Sequence, residues 1–215
     1  MLYSQKLCPH RRVNEGMSQQ PYVIAISGDS GAGKTTLVHQ LVSLFGNAVS
    51  LLLDDYTEDA IYPPTLDWLK NGANPDEFIT PQFVANLKAL RDGRSIIHPE
   101  SKAKIFPAEY IILEEPFGRS RTVMKDLIDY HVQVQIPPEL ALARRVLRNI
   151  NRLEDNGYGE GLKEFLEWYI RAGRDFFAAV REQASKDVDL VVNGELPTDI
   201  LAQKIFETIR ARQIS

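Results

Sequence analysis

The densest chemistry in this 215-residue chain is the run Gly28-Asp29-Ser30-Gly31-Ala32-Gly33-Lys34-Thr35-Thr36. Gly28, Gly33, Lys34 and Thr35 fill the four fixed positions of the phosphate-binding loop G-x-x-x-x-G-K-[ST]. The glycines let the backbone turn tightly enough for successive N–H groups to point inward as an anion nest. The helix that opens near Gly33 adds its positive N-terminal end. Lys34 can then reach the β- and γ-phosphates of a nucleotide, and the Thr35 hydroxyl can ligate Mg²⁺. Asp29, Ser30, Gly31, Ala32 and Thr36 complete the expected nucleotide-binding set. A glycine-rich turn with no ligand is the plain alternative.

Carboxylates and arginines elsewhere suit the same chemistry. Asp54 and Asp55 close the apolar stretch 48–53. A carboxylate there can take the proton of an attacking hydroxyl or hold Mg²⁺ through water, although aspartates are also common in solvated turns. Glu114 closes a second apolar stretch, 109–114, where a metal-orienting carboxylate belongs; its neighbour Glu115 is ambiguous. Arg144, Arg148 and Arg152 recur at i, i+4 and i+8, with Arg145 beside them, just before the break Asn156-Gly157-Tyr158-Gly159. Such a face could swing over the phosphates and neutralise developing charge, or be an ordinary solvated basic face. Arg119 and Arg121, in the loop after Glu114, could bind an anionic group of a substrate. Tyr56, Phe78 and Trp68 could line an acceptor pocket or pack a core. His39 is expected to pack, and His98 and His131 stand singly without a partner, so no direct role is expected of them.

These residues need a scaffold, and the hydrophobic pattern supplies one. Apolar β-branched runs at 21–27, 48–53, 109–114, 131–136 and 188–192 read as five buried strands. Helical spacing follows at 37–45, 81–91, 123–129, 137–151, 160–185 and 198–212, with Thr80 capping the helix that Pro81 opens. Residues 57–80 form a long irregular excursion with a short helix near 66–70, and a loop of that length is usually functional. Residues 94–98 are briefly extended. Strands alternating with helices predict an α/β fold: a five-stranded parallel sheet with helices on both faces and a small helical lid at about 144–160. Ligands bind such sheets at the carboxyl ends of the strands, where the glycine loop, Asp54 and Glu114 all fall.

Composition narrows the classes. With 44% hydrophobic and 25% charged residues, the chain is ordinary for a globular domain. A net charge of −4 argues against a broad nucleic-acid surface. No stretch is long and apolar enough to predict a membrane span. The single cysteine, Cys8, allows no internal disulfide and fits a reducing cytoplasm. Residues 1–20 read as a disordered tail ahead of a domain at 21–215, with Met17 an alternative start. Cys8, Pro9 and His10 are too few to hold a metal.

Read together, these blocks resemble the uridine kinase-like branch of P-loop small-molecule kinases, a group that includes nicotinamide riboside kinase, pantothenate kinase and phosphoribulokinase. Residues 28–36 are similar to its P-loop. Leu52-Leu53-Asp54-Asp55-Tyr56 is similar to the block whose first Asp is the family's catalytic base. Asn74-Pro75-Asp76-Glu77-Phe78 is similar to its Pro-Asp-Ala-Phe segment, residues 107–114 to its third core strand, and residues 142–148 to its lid helix. The resemblance implies a P-loop NTPase fold, ATP and Mg²⁺, with Asp54, Lys34 and Arg148 as catalytic residues. It implies Thr35, Glu114 and Asp54 around the metal, Arg144 on the nucleotide, and Tyr56, Phe78, Arg119 and Arg121 on the acceptor.

The chain also departs from the pattern. Ile79 stands where uridine kinases carry an Asp that binds ribose hydroxyls. Their Pro-x-Tyr-Asp segment appears as Pro99-Glu100-Ser101-Lys102, and Glu115-Pro116-Phe117-Gly118-Arg119 replaces their Gly-Ile continuation. The expectation is a cytoplasmic kinase that phosphorylates a hydroxyl of a small metabolite, nucleoside-like or otherwise hydroxylated, with an anionic acceptor and a homodimer left open. The alternatives are an ATP-binding regulatory protein with slow hydrolysis and a binding-only protein. No Asn-Lys-x-Asp guanine-reading motif is present.

Overall fold

In the computed structural model, β1 (Tyr22–Gly28) runs through the middle of the sheet, and residues 23–27 are wholly buried. The model describes residues 20–156 and 160–214, with side chains outside 151–160. A strand covered on both faces is the kind found in parallel sheets flanked by helices. The chain continues through α1 (Lys34–Phe45), β2 (Ala48–Leu52), α2 (Thr65–Lys70), α3 (Pro81–Arg91), β3 (Ile96–Ile97), β4 (Lys104–Ile105) and β5 (Tyr110–Glu114). It then forms β6 (Tyr130–Gln135), α4 (Pro138–Asn156), α5 (Glu160–Trp168), α6 (Arg174–Ala184), β7 (Leu190–Asn193) and α7 (Thr198–Ile214).

The sheet order is β2-β5-β1-β6-β7, with every pairing parallel. Ile26 and Leu52 both pair with Glu114, so β1, β2 and β5 end in one row. One face of the sheet packs Ile24, Ile26 and Ile112 against Leu37 and Leu41 of α1 and Ile205 and Ile209 of α7. The other face packs Val23, Ala25, Ile111 and Leu113 against Phe83, Leu87 and Leu90 of α3. A third cluster of Trp68, Phe117, Val180 and the half-buried Phe78 and Phe176 joins α2 and α6 above the strand ends. The predicted five-stranded architecture is thus present. Among the described residues, no helix is long and apolar enough to cross a membrane.

Several local expectations differ. No helix forms at 123–129. Short 3-10 turns at Gly118–Ser120 and Thr122–Met124 replace it, because Asp76 takes both the Thr122 N–H and its hydroxyl at 2.6 Å. Thr80 does not cap α3 with its side chain. Asp59 does so instead, accepting the Gln82 N–H at 2.8 Å. The helix expected at 160–185 is broken by a π-turn at Tyr169–Gly173, where Gly173 passes beneath the Trp168 ring. Strand β4, which pairs antiparallel with β3, was not expected. The predicted tail, with Cys8 and Met17, lies outside the described residues apart from the exposed Gln20, as does the break at 157–159.

His131 on β6 ties the sheet together from within. It is fully buried. Its Nδ1 lies 2.7 Å from the Asp187 carbonyl and its Nε2 2.7 Å from Ser27 Oγ. A carbonyl only accepts, so Nδ1 carries the proton and Nε2 accepts from the Ser27 hydroxyl. Burial, aided by the Arg119 charge, pushes the His131 pKa down, while Asp189 and Asp187 oppose the shift. A histidine more acidic when folded gives the unfolded chain the greater proton uptake. Its contribution to stability is therefore complete above the ordinary histidine pKa of about 6.5 and is lost as pH falls below it. His131→Gln should cost about 1–3 kcal/mol at pH 7. It should also lose less stability than wild type between pH 6.5 and 5, which urea unfolding at the two pH values measures.

Candidate active site

The loop between β1 and α1 turns where only glycine fits. Gly28 has φ 145°, and a Cβ there would sit 2.4 Å from the Val134 carbonyl oxygen of β6. Gly31 has φ 95°, and its Cβ would come within 2.8 Å of the Ala141 carbonyl oxygen of α4. The loop therefore presses against β6 and α4 as bare backbone. No side chain caps the N-terminus of α1, so its first N–H groups remain available to an anion.

Lys34 and Thr35 converge on Glu114. Lys34 Nζ lies 3.2 Å from Glu114 Oε1 and donates to the Asp29 carbonyl at 3.2 Å. The Thr35 hydroxyl donates to Glu114 Oε2 at 2.7 Å. A threonine hydroxyl and a carboxylate so close together are hard oxygen donors suited to Mg²⁺. Among the described residues, no cluster of three His, Cys, Asp or Glu could hold a metal alone. The remaining ligands would have to be phosphate oxygens and water.

The neighbours Asp54 and Asp55 separate in role. Both lie in the 3-10 turn Leu53–Asp55 that follows β2. His98 Nδ1 accepts the N–H groups of Glu100 and Ser101, at 3.3 and 3.1 Å. Its Nε2 therefore carries the proton and donates to Asp55 Oδ2 at 3.1 Å. Asp54 is exposed, and no described residue bonds to its carboxylate. Sequence spacing gave no hint of the His98 contact, which depends on how the β3–β4 ribbon folds back.

On the lid side, α4 leans over the loop. Arg144 Nη1 is 3.5 Å from the Gly31 carbonyl and Arg148 Nη2 is 3.3 Å from Ser30 Oγ. Arg145 lies between the rings of Phe165 and Phe177, at 4.9 and 4.3 Å from their centroids. Burial, and then the Arg148 charge, pull its pKa down to about 10, so it remains cationic at neutral pH. Arg181 of α6, which sequence reasoning missed, meets Asp29 at 2.5 Å. A cavity of about 210 Å³ lies between α4 and α6, walled by Asp29, Ser30, Arg145, Tyr169, Arg174 and Arg181. The side chain of Arg152 falls outside the described residues.

The acceptor side requires three corrections. Tyr56 faces the core: its ring packs edge-on against Phe83 at 5.1 Å, and its hydroxyl accepts from Asn86 at 3.1 Å. Arg119 is engaged elsewhere, with the carbonyls of Ile128 and Asp129 at 3.0 and 2.8 Å and with Asp189 at 2.6 Å. Arg121 is buried in an ion pair with Glu115 and donates to the Phe78 carbonyl at 3.0 Å and the Thr80 hydroxyl at 2.8 Å. It holds the Phe78 segment against the sheet. Trp68 is likewise core, its indole N–H donating to the Asn74 carbonyl at 2.7 Å. Phe78 packs among Phe117, Trp68 and Tyr62, with ring centroids 4.9, 5.2 and 5.6 Å away, and of these Tyr62 is the exposed one, at 47%. Burial and the Asp54 charge both raise the Tyr62 pKa, which puts its hydroxyl within electrostatic reach of that carboxylate.

No family model matches the sequence. The uridine kinase of Ligilactobacillus salivarius is 26% identical over 211 residues, covering 90% of this chain and 97% of that protein. The uridine kinase of Chlamydia pneumoniae is 26% identical over 204 residues, covering 85% and 88%. The chain resembles uridine kinases over most of its length. A solved structure of a candidate fructose transport system kinase from Silicibacter sp. superposes with TM-score 0.54 at 18% identity, covering 83% of this chain and 93% of that one. That match shows the shared P-loop kinase fold. Ile79 is 48% exposed, and its backbone pairs with Ile61 at 2.8 and 3.0 Å.

Arg121→Met leaves Glu115 as an uncompensated buried charge. It should destabilise the protein by about 3–5 kcal/mol, whereas Arg121→Met combined with Glu115→Leu should recover most of that loss; thermal and urea unfolding of both variants would test the pairing.

Proposed function

We propose that this protein is a Mg²⁺-dependent kinase that transfers the γ-phosphoryl group of ATP to a hydroxyl of a small, nucleoside-like metabolite. The carrying observation is Asp54, a carboxylate without a bonding partner among the described residues, at the end of β2. Its strand neighbour β5 ends at Glu114, where Lys34 and Thr35 meet. The similarity to uridine kinases supports a phosphotransferase acting on a hydroxyl.

In this reading the loop N–H groups and Lys34 hold the β- and γ-phosphates. Thr35 and Glu114, with Asp54, would hold Mg²⁺, which would supply positive charge against the phosphates. Asp54 accepts the acceptor's hydroxyl proton as the new O–P bond forms and the bond between the γ-phosphorus and the bridging oxygen breaks, releasing ADP. Arg144 and Arg148 approach from α4, with Arg148 offsetting charge on the transferred group. Closure of the lid excludes water, so the phosphoryl group goes to the acceptor.

The acceptor class follows from the groups left free. Arg119 and Arg121 are both spent on carboxylates. Tyr62, within electrostatic reach of Asp54, offers exposed aromatic surface, with Phe78 packed behind it. An uncharged hydroxylated compound carrying a ring fits these groups, and the relatives' names are consistent with a nucleoside. Ile79 implies that its sugar hydroxyls are held differently from those of uridine kinase substrates. A cytosolic setting is consistent with all of this.

The test is ADP release with Mg-ATP across nucleosides, nicotinamide riboside, pantothenate, glycerate and sugars. An acceptor that raises turnover well above background supports the assignment, and ATP binding without stimulation by any acceptor counts against it. Lys34→Ala should abolish ATP binding. Asp54→Asn should retain it while losing roughly 10²–10⁴-fold in transfer, and near-wild-type turnover in that variant would remove Asp54 as the base. Tyr62→Ala should raise the acceptor KM, while Tyr56→Phe should leave it unchanged.

A further inference from the structure

A carboxylate inside a loop built to hold anions needs an explanation, and Asp29 is such a carboxylate. It occupies the second position of the phosphate loop and is 6% exposed. Its backbone carbonyl accepts from the Ala32 N–H at 3.0 Å and from Lys34 Nζ at 3.2 Å, so Asp29 is integral to the turn that shapes the nest. Left uncompensated, its side-chain charge would oppose every phosphate bound there, with little water to screen it.

The compensating charge comes from a distant element. Arg181 of α6, 152 residues along the chain, places Nη1 2.5 Å from Asp29 Oδ2. The Arg181 side chain is 28% exposed and that of Asp29 only 5%, so the pair sits at the mouth of the cavity between α4 and α6. The second carboxylate oxygen, Oδ1, is buried without a hydrogen-bond partner, and so is Arg145 Nη1 on the same cavity. Arg181 is therefore the one cation among the described residues that forms an ion pair with Asp29.

We infer that Arg181 is a positioning residue for the phosphate loop. It cancels the Asp29 charge and ties the loop to α6, so that the nest meets a polyphosphate with a net positive face. This rests on the phosphate-transfer reading above.

Isothermal titration of ATP and of inorganic tripolyphosphate into the full-length protein tests it. Arg181→Gln should weaken both by roughly tenfold at low salt, and the gap from wild type should narrow as salt rises. Arg181→Lys, which keeps the charge, should stay within about threefold of wild type. Asp29→Asn combined with Arg181→Gln should recover most of the lost affinity, because it removes the charge that Arg181 offsets. Melting temperatures of each variant separate loss of fold from loss of binding. A wild-type affinity in Arg181→Gln, or a double variant as weak as that single one, overturns this inference alone. A wild-type protein that binds tripolyphosphate no better than Lys34→Ala overturns the phosphate-site reading, and this inference with it.

Discussion

The turn between β1 and α1 must pass against the backbones of β6 and α4 with no side chain between them. At Gly28 the limit is the Val134 carbonyl, and at Gly31 it is the Ala141 carbonyl. The first turn of α1 that follows has no side-chain cap. The close approach also brings α4 over the loop, because the segment that limits Gly31 is the one that goes on to carry Arg144 and Arg148. Nest and lid are thus set by a single packing constraint. The parallel register does the rest, ending β2, β5 and β1 in one row, so that residues distant in sequence meet at the carboxyl edge of the sheet.

At that edge, adjacent residues of like chemistry take opposite parts. Glu114 faces Lys34 and Thr35, while Glu115 turns the other way and is buried against Arg121; successive strand residues point to opposite faces. Asp55 is fixed by His98 while Asp54 has no such partner. Arg148 reaches the phosphate loop while Arg145 is held between two phenylalanines. In each case one residue is tied into the wall, while the other faces the glycine loop or stands without a bonding partner among the described residues. The wall-building residue also orients its neighbour, since the backbone between them is shared.

This pairing explains what the sequence could and could not disclose. The five strands and the glycine loop were legible because each is a local pattern: an apolar β-branched run, or fixed spacing between a strand and a helix. The placements of Lys34, Thr35 and Glu114 follow from those patterns alone. Tyr56, Arg119 and Arg121 were misread because residue type and loop position do not reveal long-range partners. Asn86, Asp189 and Glu115 claim them from 30, 70 and 6 residues away. The π-turn and the β3–β4 ribbon were missed for another reason. One extra residue in a helix, or two residues in a strand, leaves almost no periodic signal.

The charges at the edge do not balance, and the imbalance has a direction. Glu114 is matched by Lys34, Glu115 by Arg121 and Asp29 by Arg181. What remains on the α4 side is positive: among the described residues Arg144 and Arg148 bond to a carbonyl and a hydroxyl, and Arg145 lies between two rings without an ion pair. What remains on the β2 side is negative: Asp54, beside Tyr62. A polyphosphate satisfies the first surplus and a hydroxyl proton the second. Under the proposed function the α4 side would face the phosphate donor and the β2 side the hydroxyl acceptor.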